Sequence, residues 1–290
     1  MFPILTKRAL HDTVTLMEIE APFVARKAQP GQFIILRIDE AGERIPLTIA
    51  GSDKKKGTIT IIFQKVGATT KRLDGLNVGD ALLDFVGPLG KPSELTELKG
   101  KKVAVIGGGL GIAIAYPQAK ALHEIGADVD ILVGFRNTSL FILTDELQAA
   151  CNNLIIMTDD GSNGHKGFTT TALEDQIKAG TNYDCVIAIG PLVMMRAVCQ
   201  ITKQYHIPTI ISMNPIMIDG TGMCGCCRVT VDGQMKFACV DGPDFDGHKV
   251  DWDEAISRSR MYKAEEQISN DQHACNLKNE ALQMKRGGVN

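Results

Sequence analysis

Lys101-Lys-Val-Ala-Val-Ile-Gly107-Gly-Gly-Leu-Gly111 decides how the centre of this chain is read. Val103–Ile106 form an apolar run, glycines stop it, and a helical pattern runs from Ile112 to about Ile125. Glycines between a buried strand and a helix allow a tight turn and close approach of a pyrophosphate, whose charge faces the helix N-terminus. An ordinary glycine-rich turn is the alternative. Moving toward the C-terminus, Asp128–Val133, Leu154–Met157, Cys185–Ile189 and Ile207–Ser212 read as further buried strands. Helices are predicted between them, around Asp145–Cys151, Thr170–Ala179 and Met194–Tyr205. This alternation predicts a doubly wound α/β domain whose parallel sheet is covered on both faces.

Toward the N-terminus the pattern is different. Thr13–Ile19 alternates, Phe33–Ile38 is apolar and β-branched, and Thr58–Phe63 is the strongest strand signal. Turns at Pro30-Gly31, Ala41-Gly42, Lys54–Gly57, Gly79-Asp80 and Gly87-Pro88 separate them. Short, evenly spaced strands predict a small antiparallel β-barrel over residues 1–98. Within it, Gly67-Ala-Thr69-Thr70 opens a short helix whose start suits a pyrophosphate, and Arg44 adds charge. Taken without the other motifs, both read as structural.

Beyond the α/β domain, four of the chain's eight cysteines crowd between Cys224 and Cys239. Plant-type [2Fe–2S] loops read Cys-x4-Cys-x2-Cys and then a distant Cys. Here the order is Asp219-x4-Cys224-x2-Cys227-x11-Cys239, a [2Fe–2S] spacing with one thiolate replaced by a carboxylate. A structural zinc site has similar spacing, and unligated buried cysteines are a third reading. Cys226 is too close to Cys224 for the plant-type pattern and is read as a packed neighbour. Asp251–Glu266 is predicted to be a polar helix with Ala255, Ile256 and Met261 as a thin apolar stripe, and the tail carries Lys285-Arg-Gly-Gly288 near its end. The expected division is 1–98 barrel, 99–214 nucleotide domain, 215–248 cluster region and 249–290 helical tail.

The totals agree with a folded, soluble protein: 290 residues, 44 % hydrophobic and 22 % charged. A net charge of −3 argues against broad nucleic-acid binding. No apolar run reaches membrane-spanning length, and Met1–Lys7 lacks the order of a signal peptide. A cytoplasmic protein with metal ligands and free thiols is expected. The six histidines are scattered, and no nucleophile elbow, P-loop or HExxH motif is present, so hydrolysis is not expected.

A strict dinucleotide fingerprint carries an acidic residue about twenty positions past its glycines. Asp128 and Asp130 are near that distance but lie inside a strand, and the strand end is Gly134-Phe135-Arg136. NAD and NADP therefore both stay open, with Arg136 facing a 2′-phosphate or covering an adenine. Ile189-Gly190-Pro191 ends another buried strand and is expected to face the same pocket as the Gly107 turn. Asp159-Asp160-Gly161 turns at the same edge.

Pro30-Gly-Gln-Phe33, Arg44-Ile-Pro-Leu-Thr48, Val78-Gly-Asp80 and Gly87-Pro-Leu-Gly90 resemble the FAD domain of the ferredoxin–NADP reductase superfamily. The Gly107–Gly111 turn and Ile189-Gly-Pro-Leu-Val-Met-Met195 look like its pyridine-nucleotide domain. The cysteine loop resembles that of dihydroorotate dehydrogenase electron-transfer subunits. Asp219, together with Val250-Asp-Trp-Asp-Glu254 and Arg260-Met-Tyr262, is most similar to the small subunits of the electron-bifurcating NADH-dependent reduced ferredoxin:NADP oxidoreductases (transhydrogenases). The superfamily's Arg-x-Tyr-Ser appears as Ile45-Pro-Leu47-Thr48, so position 47 offers no aromatic ring, and its Cys-Gly-Pro appears as Ile189-Gly-Pro191.

The resemblance implies FAD, NAD(H) (with NADP(H) possible) and a [2Fe–2S] cluster. It implies a flavin set of Arg44, Pro46, Leu47, Thr48, Ile62, Gln64, Val66, Gly67, Thr69 and Thr70. The nucleotide set is Gly107, Gly108, Gly109, Gly111, Ile112, Arg136, Asp160, Gly190 and Pro191. The cluster ligands are Asp219, Cys224, Cys227 and Cys239. A hydride passes between nicotinamide and flavin and single electrons between flavin and cluster, with no catalytic acid–base side chain. A larger subunit with a second flavin and [4Fe–4S] clusters is the implied partner of a heterodimer, and ferredoxin is reached through it. The alternatives are the electron-transfer subunit of dihydroorotate dehydrogenase or sulfide dehydrogenase, and a non-enzymatic zinc-stabilised nucleotide-binding module.

Overall fold

The computed structural model describes residues 1–287, with side chains through residue 275, so the last three residues of the expected tail lie outside the described residues. Seven strands form the first sheet: β1 (Phe2–His11), β2 (Val14–Glu20), β3 (Phe33–Arg37), β4 (Ile45–Asp53), β5 (Thr58–Gln64), β6 (Ala81–Leu82) and β7 (Asp84–Leu89). Their order is β6-β1-β2-β5-β4-β3-β7, and all pairings are antiparallel. The two edge strands, β6 and β7, are consecutive in the chain and separated only by Leu83. Its N–H bonds the carbonyls of Arg37 and Ile38 at 3.1 Å, so the sheet curls into a nearly closed barrel. Met17, Ile19, Ile34, Leu36, Ile59, Ile61 and Phe63 fill its interior. Each such side chain contributes about 1.5–3 kcal/mol by leaving water. Two short helices, α1 (Pro22–Ala25) and α2 (Ala68–Gly75), flank the barrel. Strand β1 was not legible in the sequence, because Thr6-Lys-Arg-Ala9 lacks apolar alternation and is held by pairing with β2.

The second sheet contains β8 (Lys102–Gly108), β9 (Asp128–Phe135), β10 (Asn153–Thr158), β11 (Cys185–Ile189), β12 (Thr209–Ser212) and an edge strand from much later in the chain, Asp244–Asp246. Its order from one edge is β10-β9-β8-β11-β12, all parallel, followed by the late strand running antiparallel. The five parallel strands are the doubly wound sheet that the alternation predicts, and the antiparallel edge strand is an addition to it. Three polar or aromatic residues carry no strand signal, and pairing with β12 imposes the conformation.

Both sheet faces are covered, as alternation along β8 requires. Val103 and Val105 pack with Ile112, Ala115 and Ala119 of α3 (Gly111–Glu124). Ala104 and Ile106 face the opposite core with Ala172 and Leu173 of α5 (Thr169–Lys178) and Met195 and Val198 of α6 (Leu192–Gln204). A short α4 (Thr144–Gln148) lies at the β10 edge.

The cysteine segment contains a hairpin, β13 (Arg228–Val231) and β14 (Gln234–Phe237), and the edge strand Asp244–Asp246 is β15. Asp232 and Gly233 both have positive φ, 53° and 69°, the Asp-Gly turn that suits a two-residue hairpin. The single helix expected over Asp251–Glu266 is two: α7 (Trp252–Arg258) and α8 (Lys263–Gly287). Tyr262 breaks them at φ 66°, and the expected stripe is divided, with Ala255 buried and Met261 exposed. Helix α8 returns to the barrel, where Lys71 Nζ of α2 donates to Asn270 Oδ1 at 2.9 Å. No helix among the described residues is long and apolar enough to cross a membrane.

Candidate functional site

The carboxyl ends of β8, β9, β10, β11 and β12 face the barrel across a cleft of about 1100 Å³. The two glycine turns that the sequence pairs do meet there. A Cβ on Gly111 would lie 2.3 Å from the carbonyl oxygen of Ile189 and 2.9 Å from Gly190 Cα. A Cβ on Gly108 would lie 2.6 Å from Met194 Sδ, and one on Gly190 would lie 3.3 Å from Gly108 N. Gly109 adopts φ 55° at the tip. These absent side chains leave a bare backbone cradle at the start of α3, suited to a pyrophosphate. The residues present therefore fit a dinucleotide.

Of the nucleotide set, Gly108, Gly109, Gly111, Arg136, Gly190 and Pro191 line the cleft. Gly107 and Ile112 do not: Ile112 is fully buried beneath the turn, and a Cβ on Gly107 would strike it at 2.9 Å. Asp160 is outside the lining and Asp159 is inside it. The Asp160 carboxylate instead accepts the Ser162 N–H at 2.9 Å, closing its own turn. Hydrogen bonding from Ser162 holds that carboxyl below its ordinary range.

On the barrel side, Pro46, Thr48 and Gln64 line the cleft with Phe33, which pairs directly with Thr48 across β3 and β4. An apolar wall with hydroxyl and amide groups fits a flavin ring. The rest of the flavin set lies elsewhere. Leu47 packs against the barrel core, Ile62 faces a separate cavity beside α3, and Arg44 and Val66 are exposed away from the cleft. At α2, Thr69 Oγ1 donates to Glu43 Oε2 at 2.5 Å, and Thr70 Oγ1 accepts the Gly67 N–H at 3.0 Å. The Thr70 hydroxyl serves the helix start itself, and the Thr69 hydroxyl ties the helix to the segment before β4.

Sequence reasoning missed the cleft wall after β12, made of Met213, Asn214, Pro215 and Met217. The rule that ligands sit at the carboxyl ends of parallel strands would have found it. It also missed Thr13 and Phe135.

Two residues past Met217 the chain reaches Asp219. The loop rests on the barrel: a Cβ on Gly220, at φ 76°, would lie 2.6 Å from Leu89 Cδ1 and 2.9 Å from Ile35 Cδ1. Asp219 accepts the Thr221 N–H at 2.9 Å and the Cys224 N–H at 2.8 Å. The first of these bonds, with help from the second, holds its carboxyl below the ordinary range against slight desolvation. Cys227 and Cys239 are buried together, and Cys239 N donates to Cys227 Sγ at 3.4 Å. Burial first, then the neighbouring Cys227 thiol, pushes the Cys239 thiol up to about 12. Cys226 is only partly covered and its Sγ points at the Cys224 carbonyl, 4.0 Å away, while Arg258 of α7 holds the Cys226 carbonyl at 3.1 Å.

Among the described residues, no three metal-ligating side chains are gathered around one point. Backbone N–H bonds link the four expected ligands two by two, Cys224 N to the Asp219 carboxylate and Cys239 N to the Cys227 sulfur. A two-iron cluster takes two protein donors on each iron, whereas zinc needs four about one ion. The donor set fits the cluster.

The family model for the iron–sulfur cluster binding domain of dihydroorotate dehydrogenase B matches residues 214–251. An uncharacterised Clostridium beijerinckii protein, encoded in the adh 3′ region, is 52 % identical over 92 % of both chains. A Thermotoga maritima homologue of the dihydroorotate dehydrogenase B (NAD(+)) electron transfer subunit is 45 % identical, over 87 % of this chain and 88 % of its own. Among solved structures, a chain of the NADH-dependent reduced ferredoxin–NADP oxidoreductase, studied for flavin-based electron bifurcation, is 41 % identical with a TM-score of 0.87. That match covers 94 % of this chain and 97 % of the other. With its barrel, nucleotide sheet and cysteine hairpin in this order, the chain belongs to the family of dihydroorotate dehydrogenase B-type electron-transfer subunits and their homologues.

Proposed function

We propose that this chain passes electrons between NAD(H), FAD and a [2Fe–2S] cluster, and from the cluster to a larger partner subunit, as in the bifurcating ferredoxin–NADP oxidoreductase that it matches over nearly its whole length. The observation that carries this reading is continuity: Met213, Asn214, Pro215 and Met217 wall the cleft, and Asp219 begins the cluster loop two residues later. The cleft that would hold a flavin and the loop that would hold a cluster thus share one short segment.

The glycine turns at 107–111 and 189–191 hold the dinucleotide by backbone contact, and Arg136 and Asp159 flank its far end. Thr48 supplies a hydrogen bond to the flavin, and Phe33, Met213 and Met217 keep water from its ring. When bound, the flavin exchanges a hydride with nicotinamide and single electrons with the cluster. The protein's contribution is alignment, for which no proton-transfer side chain is needed. Asp219, Cys224, Cys227 and Cys239 hold the irons, and Asp219 is the feature that favours the bifurcating relatives over the dihydroorotate-oxidising ones. The division at about residues 98, 214 and 248 belongs to the same proposal.

Anaerobically purified protein is expected to show flavin absorbance, with about two iron atoms per chain. One zinc and no iron would overturn the redox reading. Co-purification identifies the partner: a flavin and [4Fe–4S] subunit that reduces NADP supports the proposal, and one that oxidises dihydroorotate supports the alternative. A further expectation concerns Asp219. A carboxylate donates less electron density to iron than a thiolate does, so the native cluster is the easier to reduce. Asp219→Cys should lower the potential by on the order of 60 mV, a tenfold shift for one electron. A redox titration giving an unchanged or raised potential counts against this.

A further inference from the structure

Asp244 sits where the barrel linker, α3, β12 and the segment leaving the cysteine loop converge. Its Oδ2 accepts Ser93 Oγ–H at 2.5 Å and Gln118 Nε2–H at 3.3 Å. Ser93 lies between β7 and β8, Gln118 lies in α3, and Asp244 pairs with Ser212 in the β12–β15 ladder. Ser212, the ladder partner of Asp244, and Pro243 both line the cleft.

Two acceptors in this cluster lack a donor. Gln118 Oε1 and Asp244 Oδ1 are both sealed from solvent and unpartnered, although Asp244 as a residue keeps some exposure. They belong to the two side chains already joined by the Nε2–H···Oδ2 bond. Buried acceptors without donors are costly and rare. A single proton on Oδ1 removes both defects, because a carboxylic acid donates to an amide oxygen while accepting from the amide nitrogen.

The groups facing Asp244, namely Ser93, Gln118 and Ser212, are all neutral. Asp246 on the same strand is exposed and lies 3.9 Å from Lys249. Burial raises the Asp244 carboxyl, opposed only by its neutral neighbours Ser93, Ser212 and Gln118.

The neighbouring backbone is built around this contact. Gly31, at φ 85°, leaves the space Ser93 occupies, since a Cβ there would lie 2.0 Å from Ser93 Oγ. Lys91 N donates to the Gly242 carbonyl at 2.7 Å, strapping the same barrel segment to the turn before Asp244.

We propose that Asp244 works as the neutral acid, sharing one proton with Gln118. This pair ties the barrel linker at Ser93 and α3 to the edge strand β15 beside Ser212 and so sets the wall between the cleft and the cysteine loop. Asp244 is a positioning residue. The proton assignment stands apart from the redox reading, while the effect on the cleft rests on it. The native state keeps this proton at pH values where the unfolded chain, with its ordinary value of 3.8, has lost it. The resulting stability is complete below 3.8 and is lost as pH rises through the native value.

The test compares holoprotein with Asp244→Asn and Asp244→Ala. Infrared difference spectra of wild type minus Asp244→Asn at neutral pH are expected to contain a carboxylic-acid carbonyl band. Its absence, as with an ionised carboxylate bridged by a buried water, overturns the assignment. Asparagine supplies the same donor without a titrating proton. Asp244→Asn should therefore melt close to wild type at pH values below 3.8, lack the wild type's decline as pH rises, and melt no lower than wild type at neutral pH. Asp244→Ala should melt lower by roughly 5 °C, and an equal loss in Asp244→Asn refutes the pair.

Fluorescence titration with NADH reads the cleft. Asp244→Ala is expected to bind about tenfold more weakly, with Asp244→Asn near wild type. Wild-type affinity in Asp244→Ala removes the positioning role. Failure of wild type itself to bind NADH sinks the redox reading and leaves the infrared result to decide the proton.

Discussion

Gly111→Ala should abolish dinucleotide binding and destabilise the protein by about 3 kcal/mol or more, at the upper end for overpacking. The new methyl group would lie 2.3 Å from Ile189 O and 2.9 Å from Gly190 Cα, both backbone atoms that no rotamer change can move. Relief requires α3 to lift away from β11. Helix α3 also carries Ile112, Ala115 and Ala119 into the sheet core, so lifting it opens that core. The cradle between the two turns shifts with it, and a misplacement near 1 Å is enough to cost about a hundredfold. Gly109→Ala is the internal comparison. Its Cβ meets nothing within 4 Å, and only φ 55° resists substitution, at about 1–2 kcal/mol. Thermal melting and NADH titration of both variants check this. Near-normal binding by Gly111→Ala would mean that the turns do not form the dinucleotide cradle.

Cys239→Ala, or Cys227→Ala, should reduce bound iron from about two atoms per chain to nearly none, because each iron needs two protein donors. The pair is buried at 2 % and 1 % exposure, and the only nearby spare thiol, Cys226, is directed at the Cys224 carbonyl. Flavin reduction by NADH should persist in these variants, while electron delivery to one-electron acceptors collapses. Stability should fall too, since ligand binding by a cluster is linked to folding. Cys226→Ala should keep its iron. Iron analysis separates the cases, and iron lost from Cys226→Ala but retained in Cys227→Ala would show the ligand set to be wrong.

Much of this architecture was legible as local pattern. Val103–Ile106 followed by glycines identified the central strand and its turn, and Thr58–Phe63 identified the barrel. Asp219-x4-Cys-x2-Cys-x11-Cys isolated the ligand candidates. Where the reading failed, the residues involved carried no periodic signal. β1 and β15 are strands only because β2 and β12 offer them ladders. Leu47 lies between the cleft residues Pro46 and Thr48, but its side chain faces the barrel core, because neighbouring strand positions point to opposite faces. Ile62 faces another cavity and Ile112 the sheet core.

The sequence by itself determined the element types, the order of the three modules and the chemistry available to each, since hydrophobic period, glycine placement and ligand spacing are properties of short stretches. Tertiary structure alone decided which of these stretches touch. It brought Gly111 against Ile189, set Met213–Met217 between cleft and cysteine loop, and joined Ser93 to Asp244 across 151 positions. Such contacts follow from sheet order and helix packing, in which distant residues meet only after the whole core has formed.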